Sequence, residues 1–122
     1  MTIQHTRYVL ALPDLEASAS FYRDVLGFTI QETSDSGWRF FVKDDCCIMA
    51  GHCPDAHPPN TLGDHSYFGY FVVDDIDSYY AAVVSRGADV TKSLRDEPWG
   101  MREFGLRTIA GHRIMFGQDA ET

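Results

Sequence analysis

The sequence predicts an α+β protein built from two tandem βαβββ modules forming curled mixed sheets around a concave cleft. Ile48-Met49-Ala50-Gly51 is echoed by Ile114-Met115-Phe116-Gly117. Leu12-x-Asp14-Leu15 is echoed by Val73-x-Asp75-Ile76, and Gly27 by Gly87, at nearly the same spacing. Each echo frames one order of patterns, a strand, an amphipathic helix and three strands, which is the mark of a duplicated unit.

In chain order, Thr6 to Leu12 reads as a strand stopped by Pro13. Asp14 is a good N-cap, and Leu15, Ala19, Tyr22 and Leu26 form one helical stripe closed by Gly27. Phe28 to Glu32 resumes a strand. The Ser34-Asp35-Ser36-Gly37 cluster turns it, Trp38 to Val42 returns, Lys43-Asp44-Asp45 turns again, and Cys46 to Gly51 is the fourth strand. Cys53 to Asp64 carries Pro54, Pro58, Pro59 and Gly63 and has the composition of a connector. The order then restarts: Tyr67 to Val73 as strand, Asp75 capping a helix with the stripe Ile76, Tyr80, Val83 and Val84, and Gly87 ending it. Ala88 to Thr91 follows as strand, Lys92 to Pro98 as a polar loop, then strands near Met101 to Arg107 and Arg113 to Gln118. A chain of 122 residues suits a single domain, 1–122, with modules at about 1–52 and 65–118 and the connector at about 53–64.

Composition excludes several classes. The formal charge of −8 repels nucleic acid and anionic lipid, so neither is an expected partner. No apolar run approaches the roughly 18 residues of a membrane helix. Met1 to His5 has neither a basic start nor an apolar core, so a cytoplasmic location is expected. Cys46, Cys47 and Cys53 cannot all pair within one chain, and no CxxC or HExxH spacing offers a zinc site. They read as small buried thiols.

Strand alternation sorts the side chains. Tyr8 and Leu10 should pack under the first helix while Arg7 and Val9 face the cleft; Ile48 and Ala50 should pack while Met49 faces it. By the repeat, Ile114 and Phe116 pack and Met115 faces the cleft. Trp38 and Phe40 share one side of their strand, and Phe68 and Tyr70 are expected on the opposite wall. Arg7 needs a counter-charge, from Glu103 or from a ligand carboxylate. Arg102 and Glu103 are candidates for proton chemistry or for a solvated ion pair. His57 and His112 fall in turns and read as surface residues.

Four runs carry a family resemblance: Leu12-Pro13-Asp14-Leu15, Phe21-Tyr22-x-x-Val25-Leu26-Gly27-Phe28, Pro98-Trp99-Gly100-Met101-Arg102-Glu103-Phe104 and Gly111-His112-Arg113-x-x-Phe116. Together they resemble the vicinal oxygen chelate superfamily, which contains glyoxalase I, extradiol dioxygenases, fosfomycin-modifying enzymes and bleomycin resistance proteins, and most closely its bleomycin resistance branch. That resemblance implies a homodimer, with Trp38 in a binding groove and Trp99 at its edge. It also implies a divalent metal held from the first and last strands of each module, at positions that fall here on Arg7, Met49, Phe68 and Met115. Guanidinium, thioether and phenyl groups are not ligands for such an ion, so no cofactor is expected.

The reading that results is a metal-independent small-molecule binding protein that sequesters an aromatic or cationic ligand. Its expected ligand-binding residues are Arg7, Trp38, Phe40, Met49, Phe68, Tyr70, Trp99, Arg102, Glu103 and Met115, with no catalytic residue assigned. The alternative is a metal-dependent lyase, isomerase or dioxygenase acting on a chelating substrate, in which a shifted register brings His5 and His65, with His52, to a cation. A third reading is a regulatory or structural dimer whose cleft is filled by its own side chains.

Overall fold

The computed structural model describes residues 1–63 and 65–120, so Asp64, the last residue of the expected connector, lies outside the described residues. The chain folds as two compact units, Met1–His57 and Pro58–Thr122. The first contains β1 (Tyr8–Leu12), α1 (Leu15–Phe21), a π turn over Tyr22–Leu26, β2 (Thr29–Glu32), β3 (Trp38–Lys43) and β4 (Cys46–His52). The second opens with a 3₁₀ turn at Pro59–Thr61 and holds β5 (Tyr67–Val72), α2 (Ile76–Ser85), β6 (Asp89–Asp96), β7 (Met101–Arg107) and β8 (Arg113–Asp119).

Each unit makes one four-stranded mixed sheet, ordered β1-β4-β3-β2 in the first and β5-β8-β7-β6 in the second. The last strand of each unit runs parallel to the first and antiparallel to the third. The repeat read from the sequence is therefore a repeat of topology.

Local chemistry accounts for the helix ends. The Asp14 carboxylate accepts from the Ala17 N–H at 3.0 Å, and the Asp75 carboxylate from the Ser78 N–H at 3.4 Å. Gly27 and Gly87 end the helical segments at φ of 83° and 90°, the left-handed region that a side chain disfavours. The first stripe is as expected, with Leu15, Ala19, Tyr22 and Leu26 all buried. Its last turn is a π turn, in which the Gly27 N–H reaches back to the Tyr22 carbonyl. In α2 the covering residues are Ile76, Tyr79, Tyr80 and Val83, whereas Val84 is exposed because it lies at the margin of the stripe.

Aromatic packing fixes both cores. Tyr22 meets Phe41 at 4.7 Å and Phe28 edge-on at 5.4 Å. In the second unit Phe104 stacks on Phe116 at 5.2 Å, and Tyr80 and Tyr79 close on them at 4.9 and 5.1 Å. The expected polar loop from Lys92 is instead strand as far as Asp96. Its polar residues alternate with half-buried ones, as an edge strand with one wet side does, and its register against β7 shifts on both sides of Lys92. The three cysteines are free and half-buried, and burial raises the Cys46 thiol to about 11.

Candidate functional site

In the first unit α1 and the π turn cover one face of the sheet, taking Leu10, Leu12, Phe41, Ile48 and Ala50 into the core. The period of two then sends Val9, Trp38, Phe40 and Met49 to the helix-free face. Phe40 and Val9 both pair with Met49, so these side chains run in a row across three strands. Trp38 pairs with Gly51, and its ring lies on that glycine: a Cβ added there would come within 2.9 to 3.2 Å of three ring atoms. Trp38 nevertheless keeps 38% of its surface exposed. The exposed Arg7 places its guanidinium over the Phe40 ring, 5.6 Å from the centroid. Arg7, Trp38, Phe40 and Met49 are thus brought together.

In the second unit Phe104, Leu106, Ile114 and Phe116 pack toward α2, so Glu103, Met115 and Gly117 take the other face. Glu103 is 3% exposed, yet three donors converge on it. Its Oε1 accepts from the Tyr70 hydroxyl and from Trp99 Nε1–H, each at 3.0 Å, and its Oε2 accepts from Lys92 Nζ at 2.7 Å. Lys92 also lies 3.2 Å from Glu97 and 5.3 Å from the centre of the Trp99 ring. Burial alone would raise the Glu103 carboxyl, but the donors from Lys92, Trp99 and Tyr70 together hold it below the usual range. Burial, then donation to Glu103, pushes the Tyr70 hydroxyl up to about 12. Tyr70 reaches that carboxylate by crossing Gly117, where any Cβ would collide with its ring.

Tyr70, Trp99 and Glu103 are therefore brought together, and Lys92 completes a cluster that the sequence did not reveal. Its only signal was a lone lysine in a polar run, uninformative until that run is known to be a strand beside β7. Phe68 is not beside Tyr70: a bulge between Tyr67 and Gly69 breaks the alternation, and its ring lies against Phe71 at 6.0 Å and His112 at 5.8 Å. Arg102 is not with Glu103, because adjacent strand residues point to opposite faces. It bonds Asp77 at 2.8 Å and Asp96 at 3.3 Å. Glu103 is not an open counter-charge for Arg7, since its own unit supplies its donors. Met115 is buried on the Glu103 side of β8. His112 is no solvated surface residue: it is half-buried, burial lowers its pKa, and its Nδ1 has no partner among the described residues.

The metal implied by the resemblance does not suit the residues present. A guanidinium lying over Phe40, two thioethers and a phenyl ring packed on His112 offer no donor to a hard or borderline divalent cation. His5, His52 and His65 are exposed, and among the described residues no three His, Cys, Asp or Glu side chains converge.

Comparison with known proteins agrees with this architecture. TnmS3, an antibiotic binding protein from Streptomyces sp. CB03234, superposes with a TM-score of 0.77 at 22% identity, over 98% of each chain. TioX from Micromonospora sp. ML1 gives 0.74 at 21%, over 93% of this chain and 98% of its own. A glyoxalase-related enzyme from Clostridium phytofermentans gives 0.79 at 14%, over 98% and 97%. No curated protein matches the chain. The model of one family spans residues 2–116, nearly the whole of both units, and the chain accordingly belongs to the Glyoxalase/Bleomycin resistance protein/Dioxygenase superfamily.

Proposed function

We propose that this protein is a metal-independent binding protein that sequesters a small aromatic or cationic molecule, acting as a cytoplasmic homodimer. One observation carries the reading: both tryptophans of the chain are exposed and both are held in place. Trp38 rests on Gly51, and Trp99, 63% exposed, is tied by its N–H to a buried carboxylate. Large rings on a surface cost hydration and are useful when a flat partner covers them, and a ring already fixed loses little entropy on doing so. The antibiotic binding of TnmS3, a protein of this fold, is compatible with such a role.

A thermal-shift screen tests it, since whatever prefers the folded state raises the melting temperature. Planar aromatic compounds at about 100 times their Kd should stabilise the protein by about 2.7 kcal/mol, while zinc, nickel, manganese and iron(II) should not. One tightly bound metal equivalent per chain would overturn the proposal in favour of the metal-dependent alternative at His5 and His65. Sedimentation should give twice the 13.7 kDa chain mass.

A further inference from the structure

We infer that the helix-free face of the first unit recognises an aromatic oxyanion, a planar ring bearing a carboxylate or phenolate, with Arg7 receiving the charge and Trp38 the ring. The inference rests on the proposed binding role and fixes the sign of charge that the ligand presents to this face.

The arginines set Arg7 apart. Arg23, Arg39, Arg95, Arg102 and Arg107 each pair with an acidic side chain, whereas among the described residues Arg7 makes no ion pair and no side-chain hydrogen bond. It is not simply extended into water, because its guanidinium is laid over Phe40. Contact with a ring face uses none of the guanidinium's hydrogen-bond donors, and that planar fork matches the two oxygens of a carboxylate.

Its surroundings are of one kind. The strand residues sharing the face include Val9, Gln31, Phe40, Cys47 and Met49, and none of the strand residues on it is acidic. Arg39 and Glu32, the charged pair nearest along the sheet, belong to the helix side, where Arg39 bonds Glu16 of α1. An anion set here meets a cation and uncharged neighbours, while a ligand cation would meet like charge. Aromatic lining alone suggests a cation; the charge actually on this face suggests the reverse.

Spacing along the strand sets a lower bound on the length of the ligand. Trp38 and Phe40 are two residues apart on β3, so their backbone positions are about 7 Å apart along the strand. Arg7 lies over Phe40 and not over Trp38, so a ligand that covers the Trp38 ring and presents its charge to Arg7 must be longer than a single ring. The net charge of −8 does not cancel this, since it is screened over about 8 Å at physiological salt while a bidentate contact acts at hydrogen-bond distance.

Isothermal titration with 2-naphthoate, 2-naphthalenemethanol and (2-naphthylmethyl)trimethylammonium distinguishes the outcomes. The wild-type chain should bind the carboxylate about tenfold more tightly than the alcohol, and the ammonium compound weakest. Arg7→Gln should bring the carboxylate and alcohol within about twofold of each other, and Arg7→Lys should restore only part of the preference. If wild type binds all three alike, or if Arg7→Gln keeps the full preference, the assignment to Arg7 is wrong while the binding role stands. If none of the three binds, both are wrong.

Discussion

At the scale of single residues, the buried Glu103 decides how Trp99 is presented. Glu103→Gln keeps the size and one acceptor oxygen but leaves the Lys92 ammonium short of a counter-charge. Equilibrium urea unfolding should show a loss of about 1 to 3 kcal/mol. Tryptophan emission should shift as the Trp99 indole is released, because that indole is 63% exposed and tied chiefly through its N–H. Tyr22 behaves in the opposite sense. Its hydroxyl is buried with no hydrogen-bond partner among the described residues, in a core of Phe28 and Phe41. Tyr22→Phe should therefore be neutral or stabilising by about 1 kcal/mol in the same measurement, since it deletes a desolvated polar group and leaves the ring in place.

At the scale of elements, β4 and β8 each carry a glycine near their C-terminal end, Gly51 and Gly117, for the same reason. Each provides a bare patch of backbone on which an aromatic ring from a neighbouring strand lies: Trp38 on Gly51 and Tyr70 on Gly117. Gly51→Ala forces Trp38 off its floor. It should cost about 1 to 3 kcal/mol in urea unfolding, the range for overpacking, and should weaken aromatic binding in titration. The π turn after α1 belongs to this scale too. It carries the stripe through Leu26 while letting the chain leave at Gly27 toward β2, where the Phe28 N–H also bonds the Tyr22 carbonyl.

At the scale of the whole molecule, stability should fall with acid in two windows. Folding lowers the pKa of His112 by burial, so the unfolded chain binds the extra proton. Stability from this group is complete above the ordinary histidine value of about 6.5 and is lost as the pH falls below it. Glu97, lowered first by Arg95 and then by Lys92, and Glu103, lowered on balance by its three donors, add stability above the ordinary glutamate value of about 4.3. That contribution disappears as the pH falls through their folded values. Urea midpoints at pH 8, 5.5 and 4 should decline in two steps; His112→Leu should flatten the first and Glu103→Gln part of the second.

The sequence by itself determined the duplicated topology, both helix caps, both helix-ending glycines, the side taken by Met49 and the sharing of one side by Trp38 and Phe40. These depend on spacing and on local backbone chemistry, which a linear pattern records. It did not place Phe68 or Arg102, nor disclose that Lys92 is strand. A bulge shifts side chains between faces without a mark in composition, and an edge strand of alternating polar residues reads like a loop. The convergence of Lys92, Trp99 and Tyr70 on Glu103 was decided only in three dimensions, because four strands and a turn must first be laid side by side before residues far apart in the chain can share one carboxylate.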